Sequence, residues 1–388
     1  MFRNALLLAI TAFSSLFAGE KIVLFNDTSA HYHWGCTANA TALKENIAAL
    51  GFDLHAIPIM ATYTLKEVPS FAAFDDRTQF KRFCSANAEI FKALQEARAV
   101  VINAEGTLHD MRPAPRALLY VAYISKLFLG KHVEIINHSA YPKDDPTLSP
   151  PTIETQELAE RIYKKVYSQL DFIAIREPYS QKEMQKLGIN STLSFDCLPL
   201  YIDAHYHTPK QVKEKNLVIS GSVAFTQQGV EELSSYMEKM SKRGFTIELL
   251  IGAAAHPSRD DMVFVETLQN KCSAPFTLVN AASLDEWLQT IQQATLFVSG
   301  RFQHSLAAFC LNTPFIALNS NTHKVHGLCS LLDQSEPLLY SDPNLLDHLL
   351  TRTETILSSP LPDNSAKFDE VCALAKRNCD GLRLLKQE

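Results

Sequence analysis

Residues 297–324, in the last third of the chain, read FVSGRFQHSLAAFCLNTPFIALNSNTHK and give the clearest indication of the fold class. It contains two short apolar runs, Phe297–Ser299 and Phe315–Leu318, and between them a segment with helical spacing over Phe302–Leu311. Short β-type runs that alternate with helical patterns predict parallel strands joined by crossover helices. Small polar residues and a cation follow each run, at the strand end where parallel sheets bind ligands.

The same alternation extends over most of the chain from Lys21 onward. Further strands are predicted at Ile22–Phe25, Leu54–Pro58, Val100–Asn103, Val133–Asn137, Phe172–Ile175, Thr192–Phe195, Leu217–Ser220, Ile247–Ile251 and Thr277–Val279. Helical spacing separates them, for example over Thr37–Leu50, Ala117–Leu129, Gln228–Lys242 and Lys324–Leu332. The pattern predicts an α/β fold with two Rossmann-like parallel-sheet domains that face a cleft.

The stretch from Pro199 to Lys215 interrupts the alternation and is interpreted as an interdomain linker. The predicted boundaries are 20–205 for the first domain, 206–215 for the linker and 216–340 for the second domain. Residues 341–388 are predicted to form a C-terminal helical segment.

Composition excludes several classes of protein and leaves enzymes open. The 388 residues carry 36 Lys and Arg against 42 Asp and Glu, a net charge of −6, so no nucleic-acid partner is expected. A small anion remains compatible with this balance because a few arginines in a cleft are enough to bind it. The eight cysteines have no zinc-type spacing, which favours scattered free thiols and predicts no metal site.

The N-terminus, residues 1–18, resembles a secretory signal peptide or a membrane anchor. A short, weakly basic start precedes a mostly apolar run from Ala5 to Phe17, which is too short for a comfortable membrane span. Two locations stay open. One is the cytoplasm, with residues 1–18 anchoring the protein peripherally at the inner membrane, and the other is export into a secretory lumen.

Candidate site residues in the first half follow the predicted strands. Asn26 and Asp27 come after the first strand, and Gly35 opens the next helix, a pattern typical of ligand approach or of an ordinary helix cap. After the third strand, Glu105 and His109 flank Gly106. Such a pair can perform acid–base chemistry, and the alternative is a polar loop.

Arg176 ends the fifth strand, just before a helix start marked by Pro178 and Ser180. An arginine at this position can hold a phosphate or carboxylate in bidentate fashion, and the alternative is a weak surface pair. Asp196, at the end of the sixth strand, is the predicted ion-pair partner of Arg176.

The second half has a higher density of polar residues at its strand ends, so a functional interpretation is favoured there. A glycine at such an end lets the backbone approach an anion, and an arginine supplies the charge. The candidates are Ser222, Gly300, Arg301, Gln303, His304, Asn321 and Lys324.

Four motifs together resemble the polysaccharide pyruvyl transferase family. They are Asn26-Asp27-Thr28 with His33-Trp34-Gly35-Cys36, Glu105-Gly106-Thr107-Leu108-His109, Arg176-Glu177-Pro178-Tyr179-Ser180, and Ser299-Gly300-Arg301-Phe302-Gln303-His304 with Asn321-Thr322-His323-Lys324. The resemblance implies a GT-B fold, like that of two-domain glycosyltransferases. It also implies transfer of the enolpyruvyl unit of phosphoenolpyruvate to a sugar diol as a ketal. The implied partners are phosphoenolpyruvate and a glycan or lipid-linked sugar acceptor, and no cofactor is required.

The resemblance also implies roles for individual residues. Arg176 and Arg301 correspond to the arginines that hold the donor, and alanine at either is expected to weaken donor use while folding stays intact. The family has a histidine two residues after the second arginine, where this chain has Gln303. His304 follows one residue later, a rotation of about 100° on a helix.

His304, His109 and Glu105 are the catalytic candidates. Two alternatives remain beside pyruvyl transfer: a nucleotide-sugar glycosyltransferase on the same fold, and a catalytically inactive relative that binds glycans.

Overall fold

The structure, a computed structural model, describes residues 20–31, 33–109, 112–141, 153–222, 224–252 and 259–387. Its first sheet contains β1 (Lys21–Asp27), β2 (Asp53–Pro58), β3 (Ala99–Glu105), β4 (His132–His138), β5 (Phe172–Ile175) and β6 (Thr192–Leu193). Its second sheet contains β7 (Asn216–Ser220), β8 (Thr246–Ile251), β9 (Thr277–Asn280), β10 (Leu296–Ser299) and β11 (Phe315–Ala317).

The helices that cover the first sheet are α1 (Trp34–Ala48), α2 (Ile59–Tyr63), α3 (Arg77–Ala86), α4 (Ala88–Glu96), α5 (Pro113–Leu127), α6 (Ile153–Tyr167), α7 (Pro178–Lys186) and α8 (Leu198–His205). Those that follow are α9 (Gln227–Lys242), α10 (Arg259–Lys271), α11 (Leu284–Gln293), α12 (Phe302–Cys310), α13 (Lys324–Leu331), α14 (Leu345–Leu357), α15 (Ser365–Lys376) and α16 (Asp380–Leu385).

Both sheets are parallel, and each reverses its strand order once. The first runs β2-β1-β3-β4-β5-β6 and the second β11-β10-β7-β8-β9. The central strands are mostly apolar because helices cover both faces of each sheet, and β3 is buried throughout. Ligands in such sheets bind beyond the carboxyl ends of the strands, next to the reversal point. The predicted class of two parallel-sheet α/β domains is confirmed.

The eleven predicted strands are all present, and the part of the Pro199–Lys215 stretch before the predicted boundary at 206 is helical. Residues Leu198–His205 form α8, with Pro199 in the first turn, where a missing N–H costs no hydrogen bond. Helix α8 packs against α1 and α12, and its apolar side chains join a buried cluster that continues from the first domain into the second.

The last helices return to the first domain. Helix α14 packs against α9 of the second domain, whereas Asn378 donates from Nδ2 to the Phe195 carbonyl at 2.7 Å. Asn378 Oδ1 also accepts from the Asn137 backbone N–H at 2.7 Å. The chain therefore crosses between the domains twice, once after α8 and once between α14 and α15.

The described part of the chain contains no helix with the length and apolar character that a membrane crossing needs. The predicted signal or anchor segment, residues 1–18, lies outside the described residues. All eight cysteines are free thiols, and four of them are buried. Among the described residues, no group of His, Cys, Asp and Glu side chains has an arrangement that could hold a metal ion.

Candidate active site

A cavity of 280 Å³ lies between the carboxyl ends of the two sheets, and residues of both domains form its wall. We call it the central cavity. The residues that line it are His33, Gly35, Cys36, Glu105, Gly106, Thr107, His109, Arg176, Arg301, Phe302, Gln303, His304, Ser320, Asn321 and Lys324. Ten of the predicted site residues are among them.

Arg176 reaches the central cavity from the end of β5. Its Nη1 donates to Asp196 Oδ2 at 2.7 Å and its Nε to Ser139 Oγ at 2.8 Å, which confirms the predicted ion pair. The guanidinium also lies over the Phe302 ring, 4.4 Å from its centre. A Cβ atom placed on Gly106 would lie 3.6 Å from Arg176 Nη2, so this nitrogen faces the cavity. Arg176 is thus held rigidly with one N–H group directed at a ligand position.

Arg301 enters from the second domain, at the residue that precedes α12. Its backbone N–H donates to Ser299 Oγ at 3.0 Å, and its Nη2 donates to Asp261. The side chain is largely buried, and its Nε has no hydrogen-bond partner among the described residues. A buried guanidinium nitrogen without a partner is costly, and an anion in the cavity can supply the missing acceptor.

Lys324 adds a third cation at the first residue of α13. Its Nζ donates to Asn321 Oδ1 at 3.0 Å and would lie 3.8 Å from a Cβ on Gly106. Burial, together with the nearby charges of Arg176 and Arg301, lowers the pKa of this ammonium to about 7. The positive charge of these side chains is therefore only partly balanced when the cavity is empty, and the cavity favours a ligand with negative charge.

Glu105 is the carboxylate of the central cavity, and a buried amide network fixes it. Its Oε1 accepts from Thr28 Oγ1 and, at 3.0 Å, from Asn103 Nδ2. Asn137 Nδ2 in turn donates to Asn103 Oδ1 at 2.8 Å, and Asn26 Nδ2 donates to the Asn103 carbonyl. Burial raises the pKa of the Glu105 carboxyl, while the Arg176 charge opposes the rise. The raised pKa favours the protonated carboxyl and makes the carboxylate a stronger base, so Glu105 is suited to proton transfer.

Three residues of this network have left-handed backbone conformations at the ends of adjacent strands. The φ angles are 62° at Asn26, 42° at Glu105 and 53° at Asn137. Such conformations cost about 1–3 kcal/mol each and persist where the surrounding structure holds them, often at functional sites. Here they turn β1, β3 and β4 sharply at the floor of the cleft.

His304 is buried against Trp287 and lines the second-domain wall. The Trp287 indole N–H donates to His304 Nε2 at 3.2 Å. Because an indole N–H can only donate, the proton of the neutral imidazole must be on Nδ1. Burial and the Arg301 charge hold the pKa of His304 well below its ordinary value. His304 is therefore a neutral imidazole at physiological pH.

Gln303, at the position of the family histidine, packs tightly between the domains. Its Oε1 accepts from the Cys36 thiol at 3.4 Å, and a Cβ on Gly35 would lie 2.6 Å from Gln303 Cβ. Gly35 thus permits a close approach of α1 to α12. His109, at the opposite wall, contacts the guanidinium of Arg112.

Four predicted site residues do not line the central cavity. Asn26 belongs to the supporting network, and Asp27 accepts from Lys44 Nζ at 3.0 Å. Ser222 Oγ donates to the Asn319 carbonyl at 2.9 Å, and a Cβ on Gly300 would lie 2.4 Å from Ser222 Cβ. Gly300 therefore allows the loops after β7 and β10 to pack together.

The domains also meet beside the cavity, where α7 packs on α13. Glu177 is fully buried and accepts from Tyr141 Oη at 3.0 Å and from the Ser180 backbone N–H at 3.0 Å. A Cβ on Gly327 would lie only 2.1 Å from Glu177 Oε2. Gly327 lies three residues after Lys324, on the same side of the helix, so this contact fixes how far Lys324 reaches toward Arg176.

A family model described as polysaccharide pyruvyl transferase matches residues 64–322, more than half of the chain. The chain belongs to the polysaccharide pyruvyl transferase family. No curated protein matches the chain. In this pyruvyl transferase family member, the matched region contains Glu105, Arg176 and Arg301.

Solved structures with the same architecture are enzymes of sugar metabolism. UDP-GlcNAc 2-epimerase from Methanocaldococcus jannaschii has a TM-score of 0.56 at 13% identity, over 95% of this chain and 99% of the other. The Neisseria meningitidis epimerase bound to UDP-GlcNAc has a TM-score of 0.58 at 9% identity, over 95% and 100%. Trehalose 6-phosphate synthase from Burkholderia multivorans has a TM-score of 0.55 at 11%, over 95% and 99%. At these identities the likeness establishes the GT-B fold alone.

Sequence reasoning missed five residues of the wall as individual site candidates: His33, Cys36, Thr107, Phe302 and Ser320. Four of the five belong to the family motifs quoted above, and those motifs follow predicted strands: His33, Cys36, Thr107 and Phe302. Their position near strand ends could therefore have identified them as site residues. The supporting residues Asn103 and Asn137 gave a weaker signal, since each is an amide that directly follows a pair of apolar residues near the end of its strand.

Proposed function

We propose that this protein transfers the pyruvyl group of phosphoenolpyruvate to a sugar diol of a cell-surface glycan or its lipid-linked precursor, forming a ketal. The observation that carries the proposal is the convergence of Arg176, Arg301 and Lys324 on one cavity of 280 Å³. Phosphoenolpyruvate has two acidic groups on a three-carbon frame. Cations from both domains can neutralise both groups at once as the cleft closes.

The donor-binding roles follow from the contacts. Arg176 keeps its Nη2 for the ligand because Asp196 and Ser139 occupy its Nη1 and Nε. Arg301 has a buried Nε without an acceptor among the described residues. Lys324 supplies a charge whose pKa rises again when an anion binds.

The reaction balances without a redox partner. The methylene carbon of the donor takes a proton, and the adjacent carbon becomes electrophilic. One sugar hydroxyl adds to that carbon, phosphate departs, and the second hydroxyl adds to close the ketal. Of the two hydroxyl protons, one ends on the new methyl group and the other on the released phosphate. Glu105 is the proposed proton carrier, because it lines the central cavity and burial raises the pKa of its carboxyl. His304 and His109 remain the further catalytic candidates.

The nucleotide-sugar alternative fits the described wall less well. The second-domain residues that line the cavity comprise Arg301, Phe302, Gln303, His304, Ser320, Asn321 and Lys324, and none of these described residues is acidic. The cavity is also slightly below the volume of about 300–1,000 Å³ that ligand sites usually have. Both observations favour a small dianion over a nucleotide sugar.

Thermal unfolding of the whole protein tests the donor. Phosphoenolpyruvate is expected to raise the melting temperature, since a ligand at a hundred times its Kd adds about 2.7 kcal/mol, whereas UDP-GlcNAc is expected to have no effect. Release of phosphate with a panel of diol sugars then tests turnover. Stabilisation by UDP-GlcNAc but not by phosphoenolpyruvate would overturn the proposal. Donor binding without turnover on any acceptor would identify an inactive relative.

The ion pair of Arg176 changes the expected effect of its substitution. Alanine there would leave Asp196 buried and unpaired, at a cost of about 3–5 kcal/mol, so intact folding is no longer expected. Arg301→Gln is the better test, because the amide can still donate to Asp261. The matched control is Arg243→Gln, which removes an exposed arginine of the second domain. Phosphoenolpyruvate should stabilise the control and fail to stabilise the Arg301 variant.

The donor also bears on location. Phosphoenolpyruvate is a cytoplasmic metabolite, so the proposal places the reaction on the cytoplasmic side of the inner membrane, near lipid-linked glycans. N-terminal sequencing of the mature protein tests whether residues 1–18 are retained.

A further inference from the structure

A second cavity of 440 Å³ adjoins the first, and the described residues that line it all belong to the first domain. We call it the side cavity. It shares four wall residues with the central cavity: Cys36, Glu105, Gly106 and Thr107. The shared wall means that a molecule in the side cavity lies directly beside a donor in the central one. The reacting atoms of two substrates need this proximity.

The far wall of the side cavity combines an aromatic ring with apolar side chains. Ile59 and Tyr63 are four residues apart on α2, so they face the same direction, and Pro113 and Ala114 complete the surface. The Tyr63 side chain remains 46% exposed although it is large and apolar. Ligand sites typically combine such a surface with a few fixed polar groups, and a tyrosine contributes both kinds of contact.

The polar groups of the side cavity are suited to hydroxyl groups. Thr28 Oγ1 donates to Glu105, Thr107 Oγ1 accepts from Asn26 Nδ2 at 3.2 Å, and both hydroxyls lie in the cavity wall. His31 is a neutral imidazole at physiological pH, since burial lowers its pKa to about 4. These three neutral groups both donate and accept, and the Arg112 guanidinium in the same wall can donate, so the set matches the hydroxyls of a sugar.

We infer that the side cavity is the acceptor subsite: one pyranose ring packs on Tyr63 and directs two of its hydroxyls toward Glu105 and Gly106. The inference rests on the proposed function. Because the described residues of this subsite all belong to the first domain, the acceptor can bind whether or not the donor is present. Tyr63 sets acceptor affinity and does not touch the donor.

The test uses the full-length protein and three methyl pyranosides, those of β-D-galactose, β-D-glucose and α-D-mannose. Saturation-transfer NMR measures their binding, and thermal unfolding with phosphoenolpyruvate measures donor binding separately. At least one pyranoside is expected to bind the wild type, and Tyr63→Ala is expected to weaken it at least tenfold. Tyr63→Phe, which keeps the ring, should retain most of the affinity.

Met60→Ala is the matched control, because Met60 lies on the same short helix, is 63% exposed and does not line the cavity. It should bind pyranosides like the wild type. Donor stabilisation should be equal in all variants. Binding of no pyranoside, or equal binding by Tyr63→Ala and wild type, would overturn the acceptor subsite. A failure of phosphoenolpyruvate to stabilise the wild type would instead overturn the proposed function, whatever the sugar result.

Discussion

The affinity for phosphoenolpyruvate should fall as pH rises through the pKa of Lys324. That pKa is about 7, lowered from 10.5 by burial and by the two neighbouring arginines. The ammonium is then about 90% charged at pH 6 and about 10% charged at pH 8. If only the charged form binds the donor, the apparent Kd rises about tenfold over this range. The sign is fixed, because deprotonation removes a positive charge from an anion site.

Calorimetric titration at pH 6, 7 and 8, at constant ionic strength, measures this change. The donor phosphate itself titrates in part of the range, so the wild type is compared with Lys324→Arg. A guanidinium stays charged at every pH used, and the variant therefore reports the donor's own contribution. Between pH 6 and pH 8, the fold increase in Kd should be about ten times larger for the wild type than for the variant. Parallel pH profiles for the two proteins would show that the charge of Lys324 does not control donor affinity in this pH range.

Three further substitutions test the geometry. Gly106→Ala adds a methyl group at ordinary contact distance from Arg176 and Lys324, so the melting temperature should stay the same. The donor Kd should rise at least tenfold, because a lost hydrogen bond to a charged group costs about 1.5–3 kcal/mol. An unchanged Kd would contradict this prediction. Gly327→Ala collides with Glu177 and should lower the free energy of unfolding by about 1–3 kcal/mol in urea titration, together with donor affinity. Gln303→His should lower the melting temperature without raising turnover, because Gly35 leaves no room there; higher turnover would show that the family histidine role can be restored.

The sequence was sufficient to predict the sheets and much of the site, for a clear physical reason. Buried parallel strands need continuous apolar runs, and their carboxyl ends meet at one edge of a sheet. Polar residues just after such runs, such as Glu105 and Arg301, are therefore brought together by topology alone. The pairing of Arg176 with Asp196 followed from the same rule, since each ends a strand of the β5–β6 pair.

Contacts between loops were not predictable in this way. Gly300 and Ser222 follow neighbouring strands as the rule requires, but they pack on each other and leave no space for a ligand. Helix α8 was missed because its first five residues, Leu198–Ile202, are all apolar and pack toward both domains, and its exposed polar residues come only in the last turn. The lowered pKa of Lys324 depends first on burial between the domains and then on the charge of Arg176, more than a hundred residues away, and no local pattern encodes either.

The double crossing of the chain has a practical consequence. A fragment that stops at His205 contains every strand of the first sheet but lacks the amide of Asn378, which links the ends of β4 and β6. The first domain is thus built from two separate stretches of sequence, and the second domain is one stretch between them. Splitting this protein into separately expressed pieces requires two cuts, and tags or truncations at its C-terminus act on the half that carries Arg176.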